Sequence, residues 1–330
     1  MSARIAPRLG LLALALALAF VVSIAVGAAR LPLGTVLGAL LGRAAPGDTA
    51  IVLQLRLPRA LVAALVGGAL ATSGAVFQAL LRNPLADPYI LGVSGGAAVG
   101  AVAAFALGAL ALGGWIVPAA AFAGAIGAVV IVFRVAASSG RALDTRVLLL
   151  AGVVAGAFFN ALILLFLTLS GAGAFRSAIF WLMGSLADAS WAQGLVLALY
   201  LLPATAVLFL LARPLDLLAL GEEPALYLGV PVERVKLAAY VVASLVVAAS
   251  VATCGAIGFV GLVVPHALRL VWGSGHRLLL PASFLAGAAF LLLADTAART
   301  VAGAQELPVG VVTALVGVPV FATLLARRRV

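Results

Sequence analysis

The 330-residue chain is 65% hydrophobic and only 9% charged, with a mean hydropathy of +1.30; soluble domains carry about 25% charged residues, so a soluble globular protein is excluded and a polytopic membrane protein indicated. The net charge of +10 does not signify a nucleic-acid binder, because the arginines are scattered at the ends of apolar runs rather than gathered on one polar face. A single cysteine, Cys254, excludes an intrachain disulfide framework and a Cys-rich metal centre.

Length alone would suggest about two domains. Ten apolar runs near the ~20 residues a span requires follow one another almost end to end, so one transmembrane domain over 1–330 is expected. Met1 to Gly10 carries Arg4 and Arg8 ahead of apolar residues reaching Ala29. That stretch is longer than the ~7–15-residue core of a signal peptide, which predicts a retained first helix with its N-terminus in the cytoplasm. Residues 30–57 read as a polar-flanked connection ending in Arg56-Leu57-Pro58-Arg59. A second span follows at about 58–80, where Gly67, Ala71 and Ala75 recur four apart, a spacing that lets backbones approach closely in lipid. Two prolines and an Asx residue mark Arg82 to Pro88 as a turn.

A third span at about 92–113 places Gly92, Gly96 and Gly100 on one face, and a fourth covers about 115–135. Arg134, Arg141, Asp144 and Arg146 enclose the next loop. The fifth span, about 147–169, carries Gly152, Gly156 and Asn160, an amide expected to bond a neighbouring helix. Residues 170–190 are amphipathic, with Trp181 placed as an interface anchor, and a sixth span covers about 191–212.

Asp216 to Lys236 breaks this apolar pattern. It holds four of the chain's 10 acidic residues, Asp216, Glu222, Glu223 and Glu233, and its one lysine, Lys236. Leu217, Leu218 and Leu220, then Leu226 and Leu228, predict two short amphipathic helices broken at Gly221 and Pro224 and lying on the membrane face. The residues alone leave open whether this lobe docks a soluble partner or is a long solvated loop. A seventh span is expected at about 235–254. Gly255, Gly258 and Gly261 stand three apart without a preceding strand or a following lysine, which excludes a phosphate loop. A bent, closely packed eighth helix through Pro265, His266 and Arg269 is expected instead. Spans nine and ten fall at about 278–298 and 308–326, ahead of Arg327-Arg328-Arg329.

With ten spans and the N-terminus inside, fourteen of the 20 basic residues face the cytoplasm. These are Arg4, Arg8, Arg82, Arg134, Arg141, Arg146, Arg213, Arg234, Lys236, Arg269, Arg277 and the terminal three. Arg30, Arg43, Arg56, Arg59, Arg176 and Arg299 face outward. The positive-inside rule supports this topology, which puts the charged insert and the C-terminus in the cytoplasm.

No enzyme constellation is visible. The two histidines, His266 and His276, fall outside HExxH, and no GxxxxGK[ST] is present. Ion-coupled carriers place ionisable groups deep in their spans. Here Asp295 and Arg299 stand four apart near an outer helix end, where a simple i,i+4 pair is the plainer reading. Arg56, Arg59 and Arg299 are placed to receive carboxylates from a partner, since arginine suits forked pairing; ordinary flanking arginines are the reading the pattern alone favours.

Five stretches carry a resemblance: RLPRALVAALVGGALATSGAVFQALLRNPLADPYILGVSGGAAVGA, GEEPALYLGV, GAIGFVGLVVPHALRL, HRLLLPASFLAGAAFLLLADTAART and ELPVGVVTALVGVPVF. They closely resemble the FecCD-type permeases of ATP-binding-cassette importers, which include vitamin B12, haem and ferric-siderophore permeases. The likeness runs from about 30 to 326. It implies an all-α homodimer of ten-helix subunits in the inner membrane, with short cytoplasmic coupling helices and a path along the dimer interface. It also implies two ATPase subunits below, which hold ATP and Mg²⁺, and a periplasmic binding protein above. No cofactor, metal or nucleic acid is implied for this chain. Matched residue by residue, the insert at about 214–234 resembles the coupling helices, through Leu220, Gly221, Glu222, Glu223, Ala225, Leu228 and Gly229. Arg56, Arg59 and Arg299 match arginines that meet glutamates on the binding protein. Asn83, Leu85, Asp144 and Thr145 resemble the cytoplasmic gate, with Asp144 standing where the vitamin B12 permease has a small hydroxyl residue.

The expected cargo is a bulky metal chelate, a ferric siderophore or haem by family habit, with a corrinoid as the alternative. A gradient-driven secondary carrier using Asp295 as its proton site is the rival from another class. An intramembrane enzyme has no nucleophile–base set behind it.

Overall fold

The computed structural model describes residues 5–138, 143–303 and 305–326. Arg4, Arg141 and Arg327 to Arg329, used in the charge balance, lie outside the described residues. Among those described there is helix and no strand. Seven helices are long and apolar enough to cross a membrane. They are α1 (Ile5–Ala25), α3 (Pro46–Leu80), α5 (Ile116–Ser138), α6 (Thr145–Leu169), α8 (Trp191–Leu210), α11 (Val232–Cys254) and α13 (His276–Thr300). Three shorter apolar helices stand where spans three, eight and ten are expected: α4 (Val93–Ala106), α12 (Val260–Trp272) and α14 (Val309–Ala326). Between them lie α2 (Leu33–Leu40), α7 (Ala172–Leu182), α9 (Ala212–Leu218) and α10 (Glu222–Tyr227).

Helix α3 is the axis of the bundle. From Val66 to Leu80 every residue is buried. Helices α13, α12, α8 and α11 pack around it, and α11 also reaches α4 and α5, which with α6 and α7 form a second group. In lipid, association rests on close packing, since the surrounding tails are as apolar as leucine. The small residues provide it. A Cβ on Gly67 would lie 2.4 Å from the Gly287 carbonyl oxygen, and one on Gly74 would lie 1.8 Å from that of Gly261. Helices α4 and α5 meet the same way, with Gly96 2.4 Å from the Gly124 oxygen and Gly100 2.0 Å from that of Ala120. Gly92 does not share that face: it sits before α4 with φ of 74°. Gly156 has open space beside it, and Asn160 is exposed on α6.

The second span is longer than expected. Its helix begins at Pro46, where proline at the first position costs no hydrogen bond. It then passes through a wide π turn at Ile51–Arg56. There Leu57 N donates to Val52 O, so the next carbonyl, Leu53, faces Pro58, which has no N–H. The Trp191 indole donates to that carbonyl instead, at 2.9 Å.

The expected bent eighth helix is a correction. Residues 255–258 are not helical, and α12 starts only at Val260. Gly255 and Phe259, at φ of 70° and 67°, bracket the extended segment. At ~1.5 Å per residue α4 and α12 reach only ~20 Å, short of the ~30 Å hydrocarbon core. Each is preceded by non-helical backbone, which is tolerated at membrane depth only where protein covers it.

Substituting Gly74 with valine is expected to force α3 and α12 apart and lower the detergent melting temperature, by the ~1–3 kcal/mol or more typical of overpacking. The same change at Gly127, which has no neighbour within 4 Å, is expected to leave it in place. Thermal unfolding of the two variants makes the comparison.

Candidate functional site

The charged insert is two short helices, α9 and α10. Leu215, Leu218 and Ala225 are buried against the bundle. The break falls at Ala219 to Gly221, where Gly221 takes φ of 134°. Pro224 does not break it: it lies in the first turn of α10, where its missing N–H has no partner to lose. Beyond α10 the chain turns through Gly229, φ 81°. Gly229 N donates to Leu226 O and Val230 N to Ala225 O, the pairing of a Schellman cap. The lobe presents acid and apolar surface together. Glu222 and Glu223 are exposed, as are Leu220, Leu226, Leu228 and Tyr227, the last at 85%. An apolar patch ringed by polar groups outside the spans marks an interaction surface. Leu226, seen in the sequence only as part of the amphipathic pattern, and Tyr227 both lie in this exposed patch.

Two anchor points, Glu222 and Asp216, fasten this lobe to the bundle. Lys236, at the start of α11 and only 4% exposed, donates to Glu222 Oε1 at 2.9 Å and to the Leu143 carbonyl. Arg82 Nη2 stands 3.7 Å from the same Glu222 oxygen. Asp216 on α9 accepts both the His276 backbone N–H, at 2.8 Å, and the His276 ring at Nδ1, at 2.7 Å. A carboxylate only accepts, so Nδ1 carries the proton. Burial pushes the Asp216 carboxyl up, but the His276 bonds and charge, with Arg277 nearby, outweigh it and hold the group below its ordinary value.

The residues matched to a gate lie beside the first of these anchors. Asp144 caps α6, its Oδ1 accepting from Arg146 N at 2.9 Å and Val147 N at 3.4 Å, the ordinary work of an N-cap carboxylate. Thr145 Oγ1 donates to Leu80 O at 3.4 Å, joining the start of α6 to the end of α3. Asn83 Oδ1 accepts from Leu85 N at 3.0 Å and folds the 82–88 turn. Arg82, before it, takes a left-handed backbone at φ 46°. Arg82, Asp144, Thr145, Glu222, Glu233 and Lys236 line one cleft of about 940 Å³. The fold thus brings the coupling candidate Glu222 and the gate candidates Asp144 and Thr145 together. Asn83 and Leu85 sit on the adjoining turn, and Glu223 points away. Lys236 and Arg82, which join the two sets, were not picked out as site residues; a sole lysine beside four acids was the available signal.

Gln78 was missed as well. Buried on α3, it donates through Nε2 to Ala86 O at 3.4 Å and to Leu262 O at 3.2 Å, while Arg269 donates to its Oε1 at 2.8 Å. One amide therefore ties the 82–88 turn to α12.

Arg56, Arg59 and Arg299 gather at the opposite end, and they point inward. Arg56 and Arg299 are 4% exposed and Arg59 8%. Arg56 donates to the carbonyls of Ile24 (2.7 Å), Ala25 (2.9 Å) and Ala29, at the C-terminal end of α1, where a cation complements the helix dipole. Arg59 forks onto the fully buried Asp295 at 2.9 Å and reaches Glu306 at 2.8 Å. Arg299 pairs with the other Asp295 oxygen at 3.0 Å and donates to Ser23. Asp295 is thus more than an i,i+4 partner: it holds an arginine from each of two helices.

Two cavities lie between these ends and beside them. An apolar one of about 500 Å³ is lined by Leu182, Met183, Ala256, Gly310, Leu315 and Val318, among others. A second, of about 710 Å³, is lined by Phe105, Trp181, Asp188, Gln193 and Glu306, among others. Among the described residues no group of three or more His, Cys, Asp or Glu is placed to hold a metal ion. The arrangement is suited to docking and gating, and the apolar hollow is an open groove rather than an enclosed chamber.

The chain matches the FecCD transport family over residues 15–327. It is 40% identical over 323 residues to an ABC transporter permease protein, YvrB, of Bacillus subtilis, covering 95% of this chain and 91% of that one. It is 49% identical over 280 residues to the cobalamin import system permease protein BtuC of Halobacterium salinarum, covering 85% and 74%. With the vitamin B12 import system permease protein BtuC of Klebsiella pneumoniae it shares 47% identity over 276 residues, covering 84% and 82%. A solved structure described as an inward-facing metal-chelate type ABC transporter superposes with a TM-score of 0.86 at 34% identity, covering 97% of this chain and 98% of that one. On these matches the chain belongs to the FecCD transport family.

Proposed function

We propose that this chain, a multi-pass permease, forms one half of a homodimer in the cytoplasmic membrane of an ABC importer, with both termini inside. Two ATPase subunits, holding ATP and Mg²⁺, would dock on α9 and α10 through Leu220, Leu226, Tyr227, Leu228 and the acids Glu222 and Glu223. The observation that carries this reading is the double grip of Lys236, which bonds Glu222 of the lobe and the Leu143 carbonyl beside the gate at once. A displacement of the lobe is thereby delivered to the start of α6 and, through Thr145, to the end of α3. The chain contributes docking and shape rather than covalent chemistry.

At the other end a periplasmic binding protein would deliver the cargo. A carboxylate from that protein would compete with the 40%-exposed Glu306 side chain for Arg59, while Arg56 and Arg299 brace α1 and α13. The cargo is a bulky metal chelate. The relatives named for cobalamin and vitamin B12 make a corrinoid the first ligand to test, ahead of haem and ferric siderophores. An ion-coupled carrier would need Asp295 to exchange a proton, and two arginines saturate that carboxylate in a buried site.

The test is uptake into proteoliposomes holding the chain and its ATPase, with binding protein outside and ATP inside. ATP-dependent accumulation is expected, and uptake without an ATPase that an uncoupler abolishes would overturn the reading. In the same system Glu222→Gln or Lys236→Met is expected to keep ATP hydrolysis while uptake per ATP falls about tenfold, within the ~1–3 kcal/mol typical of coupling between sites. Asp295→Asn leaves Arg59 and Arg299 buried without their shared anion. It is expected to cost ~3–5 kcal/mol, as for a broken buried ion pair, and to lower the melting temperature, with Asp295→Asn/Arg59→Met recovering part of the loss.

A further inference from the structure

The two broken spans are joined at one side chain. Ile257 lies in the extended 255–258 segment and is 2% exposed, so neither its N–H nor its C=O has helix or water to pair with. Leaving either unpaired is costly. Tyr89 Oη serves both: it donates to Ile257 O at 2.8 Å and accepts from Ile257 N at 3.1 Å. Tyr89 belongs to the 3₁₀ turn Pro88–Leu91, with its own N–H bonded to Asp87 Oδ1 at 2.8 Å. That turn continues directly from Asn83 to Asp87. The neighbour of Ile257 on the other side, Ala256, lines the apolar cavity of about 500 Å³. There is little slack on that wall: a Cβ on Gly310 would lie 2.3 Å from the Met183 oxygen and 2.6 Å from that of Ala256.

We propose that Tyr89 is a positioning residue that couples the state of the apolar cavity to the 83–87 turn that carries the gate candidates Asn83 and Leu85. This rests on the transport reading above. A body entering the cavity presses on Ala256, and the Gly255 to Phe259 segment shifts about its two left-handed ends. The Tyr89 hydroxyl follows, because losing either bond strands a buried backbone group. Its main chain carries the displacement into the gate turn. Gln78, bonded to Ala86 O and Leu262 O, ties the same turn from α3 to α12, the helix that follows the segment. The hollow and the gate turn are then linked through one phenol rather than through a continuous helix.

The test uses the full chain in liposomes with Cys254→Ala and a reporter Leu85→Cys, labelled by a membrane-permeant maleimide. Ala256→Leu imitates occupancy of the cavity without any ligand. In the Tyr89 chain this substitution is expected to change the labelling rate at position 85 by about fivefold, the low end of typical site-to-site coupling. In the Tyr89→Phe chain, which keeps the ring and loses both bonds, it is expected to change nothing. An equal response in both chains, or none in either, overturns the proposal. A melting temperature measured alongside separates the roles: a purely structural Tyr89 would lower stability and leave the response to Ala256→Leu intact. Wild-type liposomes carrying the ATPase, binding protein and ATP are offered cobalamin, haem and a ferric siderophore in parallel. Failure to take up any of them would count against the transport reading, while the labelling result judges Tyr89 by itself.

Discussion

How closely α3 can approach its neighbours governs everything else in this bundle. Water cannot drive helices together in lipid, so contact has to come from backbone meeting backbone. At Gly67 with Gly287 and at Gly74 with Gly261 there is no room for a single methyl group. Those two contacts set where α13 and α12 run. The course of α13 decides that Asp295 meets Arg59 and that His276 meets Asp216. The course of α12 decides that the extended 255–258 segment lies within reach of Tyr89. The charged groups at both ends are consequences of packing in the middle.

The charges in turn are distributed by what they must hold. At one end three arginines face two carboxylates, and the excess cation is absorbed by carbonyls at the end of α1. This locks three helices into a rigid cap. At the other end the count is the same, one lysine, one arginine and one histidine against two acids, but both acids are partly exposed where Asp295 is buried. Pairs with a partly exposed partner are weaker than the buried pairs of Asp295, so the lobe is held less firmly than α1, α3 and α13 are held to one another.

Much of this was legible in the sequence. Among the described residues the apolar runs located seven helices long enough to span and three shorter apolar ones, and the leucine pattern around Gly221 predicted α9 and α10. Three things were not legible. The start of α3 at Pro46 was hidden because its first turns carry polar and charged residues, which read as connection. The break before α12 was hidden because glycine permits both a bent helix and a non-helical segment, and the Tyr89 hydroxyl that meets the Ile257 backbone in the second lies 168 residues away. The inward aim of Arg56, Arg59 and Arg299 was hidden because flanking position says nothing of direction: Asp295 lies 236 residues from Arg59, and no local pattern joins them. Family resemblance pointed to residues that the fold brings beside one cleft, but not to Lys236, whose bonds form only when Glu222 and Leu143 are folded to either side of it.

Lys236 has one more consequence. It is the chain's single lysine, and it is buried and bonded twice. Reagents that find proteins through side-chain amines, whether cross-linkers, fluorophores or biotin esters, therefore meet almost nothing to react with on this subunit. In a complex probed by such chemistry its partners would carry the marks and the permease would stay dark, so that mapping its contacts calls for carboxylate-directed or photoactivated reagents instead.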